Sequence, residues 1–188
     1  MRKIGEISAV VMLLSLGRLA MTIPNLEPIG TAALFGGALL SSRWMKFVIP
    51  FVALFIGDLV LSVIRDGYAA HLFSPSFFTI YLAFGLTVII GNRMIGAEGR
   101  MKNVLGAAVT SSVVFFLITN FGSWIDGHGL YPMNFAGLME CYAAGLLFYK
   151  NELFGSFFFN SVMGNVFFST VAFGLYNYYQ KVFTPSVA

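Results

Sequence analysis

The sequence predicts an all-α integral membrane protein: one domain of six transmembrane helices, with a short extra helix in the loop between the fifth and the sixth. Three observations carry this. Of 188 residues, 58% are hydrophobic and only 10% charged, whereas a soluble domain carries about 25% charged residues, so the chain cannot cover a water-facing surface. Apolar runs at or near the roughly 17–25 residues of a helical span recur between polar breaks. Lysine and arginine alternate from one side of that layout to the other.

The elements follow in order. MRKIGEISAVVMLLSLG resembles a secretory signal, but it runs on through Arg18 with no convincing small-residue cleavage site, so residues 7–23 are expected to stay as the first helix. PNLEPIG, residues 24–30, is a turn with two prolines and one acid. Residues 29–42 form the second helix, only about 21 Å long at 1.5 Å per residue. Its pairs Ala32/Gly36 and Ala33/Gly37 let backbones approach closely in lipid, so this helix is expected to lie buried among the others. The third runs over 47–64 with Asp58 inside it, the fourth over 76–91 and the fifth over 103–120. The sixth covers 153–178 and ends on Tyr176, Tyr178 and Tyr179, an aromatic belt suited to a membrane interface.

Charge orients the bundle. With the N-terminus inside, Arg2, Lys3, Arg43, Lys46, Arg93, Arg100, Lys102 and Lys181 all face the cytoplasm, while only Arg65 and Lys150 face out. This obeys the positive-inside rule and predicts a multi-pass protein of the cell (inner) membrane with both termini cytoplasmic. A rival layout makes residues 134–149 a seventh span. That segment is short, holds Glu140 near its centre and would move Lys181 outside. The lipid bilayer is thus the first partner. Nucleic acid is excluded as one, because no basic face or aromatic-interleaved basic patch exists. The single cysteine, Cys141, rules out an intrachain disulfide and any multi-cysteine metal site; no metal or other cofactor is expected.

Candidate function concentrates in three places. Arg18 and Asp58 are the formal charges inside spans, and an intramembrane ionisable group calls for a named partner. Each lies about twelve residues beyond an inner charge, Glu6 or Lys46, so both reach a similar depth. They read either as a structural ion pair or as the floor of an outward-facing pocket. The turn at 24–30 offers Asn25 and Glu27, the second place, and reads as an ordinary turn or as a cavity wall. The third is TNFGSWIDGHGLYPMNFAGLMECYAAGLLFYKNE, residues 119–152, where unusual residues cluster in a chain poor in them. Its Asn120, Trp124, Tyr131, Tyr142 and Tyr149 could wall a small-ligand pocket or anchor the interface. If 134–149 is a short helix, Tyr142 and Tyr149 share one face and Glu140 the other. The irregular first half, 120–131, is then the better place for direct ligand contact, with the short helix lying over the mouth. Enzyme chemistry finds little support: His71 and His128 both lie outside the expected helices, no helix carries a histidine with a nucleophilic serine or a zinc-ligand spacing, and no phosphate-cradling loop is present.

At PNLEPIGTAALFGGALL, SSVVFFLITNFGSWI and YPMNFAGLMECYAAGLLFYKNELFG the chain resembles a family of small uncharacterised bacterial six-helix membrane proteins. That family is in turn similar to the substrate-binding (S) components of energy-coupling-factor transporters. The matching polar positions are Asn25, Asp58, Asn120, Trp124, Tyr131, Cys141 and Tyr142. The resemblance implies an S-component-like bundle that binds a vitamin-like micronutrient at its extracytoplasmic side, under the loops joining helices one to two and five to six. It further implies delivery by a transmembrane coupling subunit with ATPases, met through small residues of the first helix, here Gly5 and Ala9. A structural or assembly protein without a ligand is the alternative, and an intramembrane enzyme a more distant one.

Overall fold

The computed structural model describes residues 2–96, 98–127, 129–146 and 155–183, with the side chains of Arg2 and Lys3 outside that description. Seven α-helices form and, among the described residues, no strand: α1 (Arg2–Gly17), α2 (Ile29–Leu39), α3 (Met45–Ile64), α4 (Pro75–Ile90), α5 (Met101–Asp126), α6 (Phe135–Leu146) and α7 (Phe157–Phe183). Four are long and apolar enough to cross a membrane: α3, α5, α7, and α4 together with its continuation to Ile95. That continuation, Gly91–Ile95, is a π-helical turn. α1 and α2 are shorter than the spans expected for them.

α1 differs from the expectation at its end. The helix stops at Gly17 and tightens into a 3-10 turn over Arg18–Ala20. Arg18 is therefore at the mouth of α1 rather than inside it, and its guanidinium turns sideways toward α3. α4 begins on Ser74, whose hydroxyl accepts the Phe77 N–H at 3.2 Å with Pro75 at the first helical position. That N–H has no partner within the helix, so the cap supplies one. Ser74→Ala is expected to lower stability by about 1 kcal/mol, read as a lower unfolding midpoint in mild detergent; an unchanged midpoint would show the cap to be idle.

α2 is the hub. Thr31 to Ala38 are all buried, and α2 packs against α1, α3, α4, α5 and α7. Its glycines explain how so many neighbours fit. A Cβ on Gly37 would lie 2.2 Å from the Val88 carbonyl oxygen, and one on Gly91 would lie 2.5 Å from that of Leu34. α2 and the end of α4 thus cross backbone to backbone, as the small-residue spacing predicted. Phe35, against Phe173 and Tyr176 of α7, anchors the main apolar cluster.

α5 runs six residues beyond the fifth span read from the sequence, so Asn120–Asp126 is helical and not an irregular loop. Its polar groups are satisfied within the helix: Thr119 Oγ1, Asn120 Nδ2 and Ser123 Oγ all donate to carbonyls four residues back. Gly122 admits Thr79 of α4 against the backbone, and Asp126 accepts the Ser76 hydroxyl at 2.6 Å. α6 then folds back along α5 instead of lying over the mouth. Its partners step down α5 as the chain advances: Trp124 Nε1 donates to Pro132 O, Cys141 Sγ to Asn120 O, and Tyr142 OH to Leu117 O. Gly137, Cys141 and Gly145 are buried; Cys141 and Gly145 face α5 at Asn120 and Phe116, and Gly137 packs against Pro132. α7 continues down α5 from the level of Phe116, where the Phe116 and Phe158 ring centroids lie 4.9 Å apart.

Candidate functional site

With the turn of residues 21–28 drawn uppermost, two connected polar assemblies occupy the bundle's middle and upper part. The first is ionic. Arg18 Nη1 donates to Asp58 Oδ1 at 2.8 Å, with side-chain exposures of 10% and 4%. Tyr68 OH, from the turn after α3, donates to the same oxygen at 2.7 Å and accepts from Arg18 Nη2 at 3.1 Å. Tyr81 OH of α4 donates to Asp58 Oδ2 at 2.7 Å. Both Asp58 oxygens and both terminal nitrogens of Arg18 are thereby engaged. The remaining donor, Arg18 Nε, is buried, makes no hydrogen bond, and faces Glu27 Oε2 at 3.6 Å. The depth argument from the sequence thus named two residues that meet. It did not see the two tyrosines; Glu27 had been read with Asn25 as part of an ordinary turn or a cavity wall, and it does line the cavity. Burial pushes the Tyr68 hydroxyl up to about 12, with the neighbouring guanidinium pulling the other way.

The second assembly centres on Asn165 of α7, which is buried. Its Nδ2 donates to Ala108 O at 3.0 Å and Ser111 Oγ at 2.9 Å, with Ser112 Oγ at 3.3 Å. Its Oδ1 accepts from Thr31 Oγ1 at 3.3 Å, and Thr31 Oγ1 lies 2.9 Å from Ser169 Oγ. Three helices are tied together there, and Gly30 has no Cβ because one would sit 2.9 Å from Asn165 Oδ1. Nearby, Asn160 Nδ2 holds Pro24 O at 2.9 Å and Asn25 Nδ2 reaches Phe157 O at 3.4 Å, so α7 also fixes the turn. Asn25 adopts a left-handed backbone, φ 61°, which asparagine tolerates better than most residues.

Between the two assemblies lies a cavity of about 140 Å³. Arg18, Asn25 and Glu27 line it from the turn; Thr87 of α4, Ser111 and Ser112 of α5, and Ser161 and Asn165 of α7 line it from the helices. Ile29, Ile80 and Phe115 supply its apolar wall. Ser111 and Ser112 sit about 21 Å below the top of α5 at 1.5 Å per residue, so the cavity reaches the middle of the bundle.

The candidates from the sequence divide accordingly. Arg18 and Asn25 line the cavity, and Asp58 stands directly behind Arg18. Asn120, Trp124 and Tyr142 instead hold α6 to α5, and Tyr131 lies beside Gly127 at the top of that hairpin. None of these four is among the residues lining the cavity. Tyr149 lies outside the described residues, as does His128. Besides Tyr68 and Tyr81, the residues missed by sequence reasoning are the uncharged polar ones on the cavity wall, Thr87, Ser111, Ser112, Ser161 and Asn165. A signal for the last two existed: Ser161, Asn165 and Ser169 repeat every four residues and so form one polar stripe on a helix, which lipid does not tolerate unpaired. Among the described residues, no three His, Cys, Asp or Glu side chains are grouped to hold a metal ion.

A helical bundle with four membrane-length apolar helices and a cavity lined in part by polar groups has a build compatible with a polytopic membrane protein. The chain belongs to the family of unknown function DUF6580, which it matches over residues 2–187. No curated protein and no solved structure matches it.

Proposed function

We propose that the protein is the substrate-binding membrane subunit of a small-solute uptake system, with its ligand in the cavity beneath the turn of residues 21–28. The observation that carries this is the cavity itself. Hydroxyl, amide, guanidinium and carboxylate groups from four separate elements converge on one space within otherwise apolar helices, and polar groups are placed in a membrane core at a cost that function repays. In this reading six helical segments, α1–α5 and α7, traverse the bilayer in an S-component-like arrangement. α6 packs at the outer end of α5, both termini are cytoplasmic, and the turn faces the extracytoplasmic side. A transmembrane coupling subunit with ATPases would supply the work of uptake.

Size narrows the ligand. A cavity of about 150 Å³ accepts benzene, so 140 Å³ suits roughly six to eight non-hydrogen atoms. That is a small polar solute, below the size of most vitamins. The second reading, a structural protein without a ligand, draws on one observation: the Asn165 amide is already satisfied by protein groups. Native mass spectrometry of protein purified in mild detergent separates the two. A copurifying small molecule is expected, lost in Ser161→Phe, which fills the cavity, and kept in Tyr142→Phe, which touches only the α5–α6 hairpin. Protein that carries no such molecule and gains none across a panel of small metabolites would refute the binding reading.

A further inference from the structure

We propose, resting on the cavity as the ligand site, that its ligand is a small organic cation, an ammonium or guanidinium compound, with Glu27 as its counter-ion. The argument is a count of charges and of free hydrogen-bonding capacity. The buried cluster holds one cation, Arg18, and two acids, Asp58 and Glu27. Asp58 answers Arg18 at 2.8 Å and spends its other capacity on Tyr68 and Tyr81. Glu27 is left with the loose contact to Arg18 Nε at 3.6 Å, although its side chain is only 26% exposed. Arg65 also acts on Glu27, but it is exposed, and water screens such a charge heavily.

One negative charge therefore remains unbalanced beside the cavity. Burying a second anion there is strongly unfavourable, whereas a cation brings the cluster to neutrality. Donor capacity points the same way. An anion needs N–H or O–H groups aimed at it, and the amide hydrogens of Asn165 already go to Ala108, Ser111 and Ser112. Arg18 Nε, a buried donor without a hydrogen bond, is turned toward Glu27, and the Ser161 hydroxyl on the cavity wall can accept from a cation as readily as it can donate. A cation needs acceptors, and it finds the Glu27 carboxylate, with Ile80 and Phe115 left for its carbon skeleton.

Glu27 also links binding to pH. Burial holds its carboxyl above the ordinary range, against the pull of Arg18 and Arg65 and with Asp58 adding to the rise. The α7 residues that line the cavity with it, Ser161 and Asn165, carry no charge. An arriving cation favours the ionised form, so affinity rises as pH rises through the Glu27 pKa.

The test needs no knowledge of the natural ligand. A thiol is placed on the cavity wall by Ser161→Cys in a Cys141→Ser background, with Ile80→Cys as a second position should the first fold poorly. Labelling rates are measured in detergent with three small methanethiosulfonates, the cationic ethylammonium, the neutral methyl and the anionic ethylsulfonate reagents, each relative to its rate with free 2-mercaptoethanol. The cation-to-anion ratio is expected to exceed that of the free thiol by at least about tenfold, the range over which a charged cleft concentrates counter-ions, and to collapse in Glu27→Gln. Labelling by the neutral reagent without cation preference, or with anion preference, would overturn the cationic ligand while leaving the cavity a solute site. Failure of the neutral reagent to label either position would show that solutes do not enter, and the proposed function would fall with it.

Discussion

Asp58→Ala should be among the most destabilising single changes available in this protein, at about 3–5 kcal/mol. The loss is not the worth of one ion pair. Removing the carboxylate leaves Arg18, 10% exposed, with a charge that only distant Glu27 can answer at 3.6 Å. It also strips Tyr68 and Tyr81 of the acceptor each uses at 2.7 Å. Replacing both charged partners should be far milder, because an apolar pair of similar volume has no desolvation penalty to offset. Arg18→Met with Asp58→Leu is therefore expected to recover most of the loss. Apparent unfolding midpoints in mild detergent, taken round the full double-mutant cycle, decide this. A double variant as unstable as Asp58→Ala would mean the tyrosines, and not the stranded guanidinium, dominate.

Gly37→Ala comes second. Adding even a methyl group to a filled core costs typically 1–3 kcal/mol when side chains can shift. Here the obstacle is the Val88 carbonyl, 2.2 Å from where the Cβ must go, and moving it means moving α4. The expected cost is at or above about 3 kcal/mol. Gly174→Ala is the matched control, since a Cβ there meets nothing within 4 Å. It should be neutral or slightly stabilising, as alanine is the better helix former. Equal midpoints for the two variants would contradict the close crossing of α2 and α4.

These residues also mark how far the sequence was legible. Formal charges inside apolar runs are conspicuous, and a rise of 1.5 Å per residue placed Arg18 and Asp58 at one depth. Small-residue spacing likewise gave the burial of α2 before its neighbours were known. Three features were hidden. Asn165 and the serines around it carry no charge, so a search for ionisable groups passed over them, although an amide in lipid needs partners just as surely. The top of α5 reads as a loop because Asn120, Gly122, Ser123 and Asp126 are loop-forming residues in isolation. The fold overrides that through back-bonded hydroxyls and amide and through Thr79 seated on Gly122. The direction of α6 depends on which carbonyls of α5 its side chains meet, and periodicity has no information on that. Cys141 and Gly145 did hold the hint, small residues at the four-residue spacing that lets helices approach closely.

The knot at Asn165 has a consequence for how the protein is made. Thr31 leaves the ribosome early and Asn165 late, yet each completes the other's hydrogen bonds. α2 is only about 16 Å long at 1.5 Å per residue and packs against α1 before it as well as α3, α4, α5 and α7 after it. Until α7 is made, the Thr31 hydroxyl therefore lacks the partners it has in the folded protein, Asn165 and Ser169. The close crossing with α4 sets where α2 lies, and α7, made after both, completes its polar contacts.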